Sequence, residues 1–153
     1  MTASTAAAPR TAAPRNPRRR AREFALQGLY QWQLAAADVV AIEQHLATVK
    51  GFERADRGYF GALLRGVIGG APALEAALAP HLDRGFAEVS PIERAILLIA
   101  AYELAEIPAV PYRVVINEAV ELAKSYGGTD GYKYVNGVLD KLAAVARPAE
   151  AAR

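Results

Sequence analysis

The sequence predicts an all-α fold of about seven helical segments packed into one domain. Alanine is abundant, and valine, isoleucine and threonine rarely alternate with polar residues, a composition that favours closely packed helices over sheets. An apolar run in the middle of the chain has the length and the flanking residues of a buried helix. The length of 153 residues, with 53% hydrophobic and 22% charged residues, fits one globular domain with its own core.

The stretch from residue 90 to 106 predicts the central helix of this domain. Ser90 is expected to be its N-cap, Pro91 its first residue, and Glu93 the partner of Ser90 in a capping box, where each side chain accepts from an unpaired backbone N–H. Residues 95–102 are apolar on every side of a helix, so lipid or other helices must cover them. This run is far shorter than the roughly 20 residues that cross a bilayer. We therefore expect a soluble domain without a membrane contact.

Caps, prolines and apolar periodicity predict the other helices. Residues 1–16 are an Ala/Pro/Arg-rich extension, expected to be disordered because it has too few large apolar residues to fold. Asn16 and Pro17 are expected to open a helix that ends near Ala37. Further helices are expected over residues 38–50, 53–68 (ended by Gly69-Gly70), 72–78, 111–125 and 132–146. The helical domain thus spans residues 17–147, and residues 148–153 form a C-terminal tail.

The positive charge is concentrated near the N-terminus. Residues 1–22 hold six arginines and no acidic residue, a charge of +6, whereas the rest of the chain carries −4 and the net charge is +2. On a helical wheel Arg19 and Arg22 lie on the same side as Leu26, Tyr30 and Gln33. The last arginines are therefore expected on a rigid helix beside an aromatic ring. A basic arm on an acidic body is typical of proteins that contact polyanions.

The sequence contains no constellation typical of an enzyme. It lacks cysteine, which excludes disulfides, thiolate catalysis and cysteine-type zinc sites. His45 and His81 have no ligand-spaced partners, and the glycines at 66–70 follow no strand of a dinucleotide-binding motif. We therefore expect no catalytic residues, no metal and no cofactor. The N-terminus has no apolar signal-peptide core, so we expect a cytoplasmic location.

A second basic and aromatic cluster lies at the start of the last predicted helix, in Asp130-Gly-Tyr-Lys-Tyr-Val-Asn136. Lysine and arginine neutralise phosphates, aromatic faces stack on bases for roughly 1–3 kcal/mol each, and amide side chains read base edges. A helix N-terminus adds N–H donors and the positive end of its dipole. Together with the arginines near Tyr30, this cluster indicates binding of single-stranded nucleic acid.

Several stretches resemble the NusB family of bacterial transcription antitermination factors. They are Arg18-Arg-Arg-Ala-Arg-Glu-Phe-Ala-Leu-Gln-Gly-Leu-Tyr30-Gln-Trp-Gln33, Ile92-Glu-Arg-Ala-Ile-Leu, Val110-Pro-Tyr-Arg-Val-Val-Ile-Asn-Glu-Ala-Val-Glu-Leu-Ala-Lys124 and Lys133-Tyr-Val-Asn-Gly-Val-Leu-Asp-Lys141. Together they cover most of residues 18–147 in the family's order and spacing. The resemblance implies an all-α fold of two packed helical-bundle subdomains.

The resemblance also implies a function. Members of the family bind the boxA segment of ribosomal RNA leader transcripts together with ribosomal protein NusE. The complex joins the RNA polymerase elongation complex with other Nus factors and suppresses premature termination. By position, the residues expected to contact RNA are Arg18, Arg19, Arg20, Arg22, Tyr30, Lys133, Tyr134 and Asn136. Glu93 is expected near the meeting point of RNA and NusE, and Asp130 is expected to modulate their binding.

The chain departs from the family in two places, and alternatives remain. The extension before Arg18 lies outside the family core, and Gly131 and Tyr132 replace the usual serine or histidine before Lys133. Some members form homodimers that cover the arginines, so the resemblance leaves both the monomer and the homodimer open. A related helical domain occurs in certain rRNA cytosine methyltransferases, which also need a cysteine nucleophile that this sequence lacks. A protein-interaction module with a non-specific polyanion-binding arm would be sensitive to charge alone, whereas RNA binding also depends on Tyr134.

Overall fold

The computed structural model describes residues 16–152, which form seven α-helices and no strand. They are α1 (Pro17–Ala35), α2 (Val39–Leu46), α3 (Arg57–Leu78), α4 (Pro91–Glu106), α5 (Tyr112–Tyr126), α6 (Gly131–Ala146) and α7 (Pro148–Ala151). Short 3₁₀ turns occur at Phe52–Arg54, Ala79–His81 and Phe86–Glu88. The prediction of an all-α fold is confirmed. The predicted disordered extension, apart from Asn16, lies outside the described residues.

The helices form two bundles that share α4. In the first bundle α1, α2 and α3 pack against one another, and in the second α5 packs against α6. α4 contacts α1 and α3 as well as α5 and α6. Residues 95–101 of α4 are each at most 3% exposed, so protein covers the predicted apolar run on all sides except at its last residue, the partly buried Tyr102. The core of each bundle therefore depends on the same central helix.

Ser90 caps α4 as predicted, but the second half of the capping box is not formed. Ser90 Oγ accepts a hydrogen bond from the backbone N of Glu93 at 3.3 Å. The Glu93 carboxylate turns instead toward the start of α6, where it occupies the space that a Cβ atom at residue 131 would need. Because residue 131 is glycine, the carboxylate can approach the α6 backbone closely.

α1 begins at the predicted cap, but two residues expected on its outer side are buried. Asn16 Oδ1 accepts from the backbone N of Arg19 at 2.7 Å, and Pro17 is the first helical residue. Arg22 and Leu26 are only 3% and 2% exposed. The helical wheel did not anticipate this burial because it depends on α4, which packs against α1 and provides Glu103 as an ion-pair partner for Arg22.

α3 is one continuous helix where the sequence predicted two. It runs through Gly69-Gly70 and through Pro72, which were expected to end one helix and open another. Buried residues continue along the helix on both sides of these positions: Leu63, Leu64, Val67, Ala71, Leu74 and Leu78. Packing of this stripe outweighs the local helix breakers. The stretch 57–81 is long and apolar enough to suit a membrane-spanning helix, yet it packs here against α1 and α4.

The C-terminal residues predicted as a tail contain α7. The preceding residue, Arg147, is 9% exposed and donates at 2.8–3.1 Å to the backbone oxygens of Glu103, Leu104, Ile107 and Val110. These carbonyls belong to the end of α4 and the turn after it. Those of Glu103 and Ile107 also accept from the backbone N of Ile107 and Val110, each at 3.1 Å, whereas Leu104 O has no helical donor because Pro108 lacks an N–H. Glu150 of α7 accepts from Arg147 at 2.7 Å and from the backbone N of Tyr112 at 2.9 Å. α7 and Arg147 thus tie the end of α4 to the start of α5.

Candidate nucleic-acid interface

The first turn of α1 presents two arginines toward solvent. The Arg18 side chain is 52% exposed, and its guanidinium lies 4.4 Å from the centroid of the Tyr59 ring and 3.9 Å from the Asp56 carboxylate. Arg20 is partly exposed and has no ion-pair partner among residues 16–152. Because exposed ion pairs contribute little to stability, Arg18 can turn from Asp56 to a phosphate at small cost, and Arg20 has no ion pair to break among the described residues.

Arg19 is held by α5. Its Nε and Nη2 donate to the two carboxylate oxygens of Glu118 at 2.9 and 2.7 Å. The hydrogen bond with Glu118 raises the pKa of Arg19, although partial burial opposes this rise. The Arg19 side chain keeps 30% of its surface exposed. A phosphate at Arg19 therefore shares the guanidinium with Glu118 or competes with it.

Arg22 is part of a buried network, which corrects its predicted role as a phosphate contact. Its side chain is 4% exposed, and its Nε and Nη2 donate to the Glu103 carboxylate at 2.8–3.1 Å. The Tyr59 hydroxyl donates to the same carboxylate, and burial together with this bond raises the pKa of Tyr59 far above its usual range. Glu118 lies 3.6 Å from Arg22 Nη1. Arg22 thus joins α1 to α3, α4 and α5 and is not accessible to RNA.

The start of α6 carries the second cluster. Asp130 precedes the helix in the left-handed conformation, with φ 64°, and its carboxylate lies 3.4 Å from Lys133 Nζ. Lys133 is 65% exposed, and Asn136 is also exposed. Two ammonium groups lie near the Tyr132 ring, with Lys124 Nζ at 5.2 Å and Lys133 Nζ at 6.0 Å from its centroid. Asp130 is therefore positioned to offset the charge of the lysine expected to contact RNA.

Tyr134 is half-buried, and one face of its ring is already occupied. The Arg84 guanidinium lies 4.6 Å from the ring centroid and is held by two hydrogen bonds to Asp83, at 2.6 and 3.1 Å. The Tyr134 hydroxyl is buried, and this burial raises its pKa. A base that stacks on Tyr134 uses the other face of the ring or displaces Arg84. Sequence reasoning missed Arg84 because it lies in the loop before α4, far from Tyr134 along the chain.

Glu93 and two tyrosines connect the clusters. The Glu93 carboxylate packs near Gly127 and Gly131 at the two ends of the α5–α6 loop. Its neighbour Ile92 lines a depression of about 200 Å³ together with Tyr30 and Tyr126. Tyr30 is 38% exposed and Tyr126 is 43% exposed. Sequence reasoning missed Tyr126, although an aromatic residue directly before a glycine-containing loop was a usable signal.

These residues form a surface that we call the basic–aromatic face. It comprises Arg18, Arg19, Arg20, Tyr30, Tyr126, Lys133 and Tyr134. The depression beside Arg19 is lined by three carboxylates, Glu23, Glu118 and Glu121, together with Leu122 and Ser125. The face thus has one basic cluster at the start of α1 and another at the start of α6, and its tyrosines Tyr30 and Tyr126 line one depression.

The described residues offer no site for a metal ion. Within residues 16–152 no group of three or more histidine, aspartate and glutamate side chains is arranged to hold one. His45 lies in α2 and His81 in the 3₁₀ turn after α3. The chemistry of the basic–aromatic face comes from guanidinium, ammonium and aromatic groups, a combination that suits a single-stranded nucleic acid.

Comparison with known proteins shows relatives that match nearly the whole chain. The sequence model of the NusB family matches residues 19–144. The transcription antitermination protein NusB of Ralstonia nicotianae is 56% identical over 152 residues, 99% of this chain and 98% of that protein. The protein of the same name from Aromatoleum aromaticum is 58% identical over 133 residues, 87% of this chain and 92% of that protein.

Solved structures share the fold. NusB of T. maritima superposes with a TM-score of 0.77 at 28% identity, over 90% of this chain and 98% of that chain. A structure of the antitermination factors NusB and NusE in complex with dsRNA gives a TM-score of 0.73, over 83% of this chain and 96% of that chain. At 22% identity this second likeness concerns the fold alone.

The fold defines the class as an all-α protein of two helical bundles, and its basic–aromatic face has the chemistry that suits a single-stranded nucleic acid. The family is assigned from relatives that are more than half identical to this chain over nearly their full length. The chain belongs to the NusB family. Its function is transcription antitermination, which is a non-enzymatic role.

Proposed function

We propose that this protein binds the boxA segment of nascent ribosomal RNA together with ribosomal protein NusE. The complex joins RNA polymerase and other Nus factors and suppresses premature termination. This role places the protein in the cytoplasm, where a bacterial transcript is made. The observation that carries the proposal is the combination of two basic clusters, at the starts of α1 and α6, with the exposed rings of Tyr30 and Tyr126, which line one depression.

The residues of this face take distinct roles in the proposal. Arg18, Arg19 and Arg20 meet phosphates at one end, and Lys133 meets one at the other. Tyr134 stacks on a base, a contact that tolerates any base because each has a π-face. Tyr30 and Tyr126 provide exposed aromatic rings between the two basic clusters. Asn136 is exposed on α6 and presents its amide to base edges.

Two carboxylates partly offset the positive charge of this face. Asp130 lies beside Lys133, and the Glu93 carboxylate lies at the start of α6, where a phosphate would otherwise meet the positive end of the helix dipole. Both weaken the attraction of RNA to the protein alone. NusE, bound near Glu93, supplies the additional affinity in the complex.

We expect RNA binding to weaken moderately with salt. Arg18, Arg19, Arg20 and Lys133 provide three to four phosphate contacts, so log affinity against log salt concentration has a slope of roughly −2 to −3 for a single strand. A titration at four salt concentrations measures this slope, and Arg20→Gln serves as a variant that makes it shallower by about 0.7. A slope near zero contradicts electrostatic contact by α1.

We expect Tyr134→Ala to lower RNA affinity by roughly 5- to 150-fold, the loss of one stacked base at about 1–3 kcal/mol. Tyr134→Phe keeps the ring and removes only the buried hydroxyl, so it retains affinity close to that of the unchanged protein. Fluorescence anisotropy with labelled single-stranded RNA compares the three proteins. Equal affinities for the alanine and phenylalanine variants would show that the ring does not stack.

The proposed function is tested by titrating boxA RNA and a scrambled RNA of equal composition, each with and without NusE. Preference for boxA that sharpens when NusE is added supports the proposal. Equal binding of both RNAs, unchanged by NusE, contradicts it and leaves only a polyanion-binding arm. A homodimer that covers the arginines would compete with RNA, so the mass in solution is measured at the same protein concentrations.

A further inference from the structure

We propose that a groove beside Tyr134 is a second RNA-binding subsite, which holds the sugar–phosphate group next to the base stacked on Tyr134. The groove lies between α6 and the segment after α3, and its functional residues are Lys133, Gly137, Lys141 and His81. This inference rests on the proposed RNA binding and extends it along the strand.

The size of the groove suits one nucleotide-sized group. Its volume is about 290 Å³, near the lower end of the roughly 300–1,000 Å³ of small-molecule pockets. Residues 80–83 form one wall, and Tyr134, Gly137 and Val138 belong to the other. Because Tyr134 lines the groove, a strand with a base on that ring continues directly into it.

The charges around the groove favour a phosphate backbone. Lys133 and Lys141 lie eight residues apart on α6, about 12 Å along the helix axis, and line the same groove. Lys141 has no ion-pair partner among residues 16–152, and Lys133 has only the exposed Asp130. His81 adds a ring N–H donor. The one carboxylate in the wall, Asp83, is engaged by Arg84.

Gly137 keeps the floor of the groove open. A Cβ atom at this position would meet nothing within 4 Å, so internal packing does not require glycine there. Its φ does not lie in the left-handed region, so the backbone does not require glycine either. Glycine is among the least favourable residues in a helix interior. An unobstructed path between the two lysines accounts for its presence.

The test is to fill the groove without disturbing the fold. We expect Gly137→Gln to lower affinity for boxA RNA roughly tenfold, the loss of one charge-assisted hydrogen bond to a phosphate. Its thermal midpoint should equal or exceed that of the unchanged chain, because glutamine is the better helix former. The matched control is Gly69→Gln on α3, since Gly69 is equally open and lies outside the groove. This control should leave RNA affinity unchanged.

A second pair of variants tests the charge. Lys141→Gln should make the salt slope of RNA binding shallower by about 0.7, whereas Lys50→Gln, outside the groove, should not change it. Unchanged RNA affinity in Gly137→Gln would overturn the proposal that the groove binds RNA, while the proposed function would stand. If that variant instead loses affinity for NusE alone, the groove binds protein and the inference is wrong. Failure of the unchanged chain to bind RNA, with or without NusE, overturns the proposed function and the groove together.

Discussion

Glu103→Ala is expected to lower the free energy of unfolding by about 3–5 kcal/mol, because it leaves a buried guanidinium without its partner. Arg22 and Glu103 are 4% and 1% exposed in their side chains, and Tyr59 also loses its acceptor. Arg22, which was expected to contact RNA, is thus central to the stability of the fold. Urea denaturation followed by circular dichroism measures the change.

Two further variants separate burial from charge in this experiment. Glu106→Ala removes a carboxylate from the same helix at an exposed position, and its effect should stay within about 0.5 kcal/mol. The double variant Arg22→Met with Glu103→Leu replaces the pair by apolar side chains and should recover most of the loss. A loss below about 1 kcal/mol for Glu103→Ala would contradict the buried network.

Arg147→Ala is expected to lower the free energy of unfolding by roughly 3 kcal/mol or more. The guanidinium donates to four backbone oxygens and to Glu150. Its loss leaves the buried carbonyls of Leu104 and Val110 without a donor, whereas Glu103 O and Ile107 O still accept from backbone N–H groups. Arg147→Lys keeps the charge but not the planar fork of donors, so it should recover only part of the loss.

The same measurement includes Arg113→Ala, which removes an exposed arginine from α5 and should change stability little. Hydrogen exchange adds a local test, since the amides at the end of α4 and the start of α5 should lose protection in Arg147→Ala. Equal stability of the Arg147 and Arg113 variants would show that the carbonyls find water as a substitute donor.

Local signals in the sequence predicted much of this fold. Asn16 and Ser90 cap their helices as expected, because a cap is an interaction between residues three apart. The apolar run of α4 also indicated its own burial. The predictions that were wrong concern contacts between elements that lie far apart in the chain. The helix break predicted at Gly69-Gly70 is absent because α3 packs along its whole length. The Glu93 carboxylate lies at the start of α6 and not at the N-terminus of its own helix.

The candidate site was predictable to the same extent. Residue types and helical periodicity brought Arg18, Arg20 and Lys133 into consideration, and each is at least partly exposed. Periodicity cannot reveal that Arg22 faces a buried carboxylate, because Glu103 lies 81 residues away in the chain. The contact of Arg84 with Tyr134 is hidden for the same reason. Charged residues near a helix end are thus assigned to a ligand or to the core only by the fold.

The position of α4 has a consequence for synthesis on the ribosome. α1, α2 and α3 leave the exit tunnel before the helix that completes their core, so their apolar stripes stay uncovered until about residue 106 has emerged. During that interval the nascent chain exposes the surfaces that chaperones bind. Once α4 is available, the first bundle closes and the same helix becomes the template for α5 and α6. A chain that stops between α3 and α4 should therefore give no stable fragment.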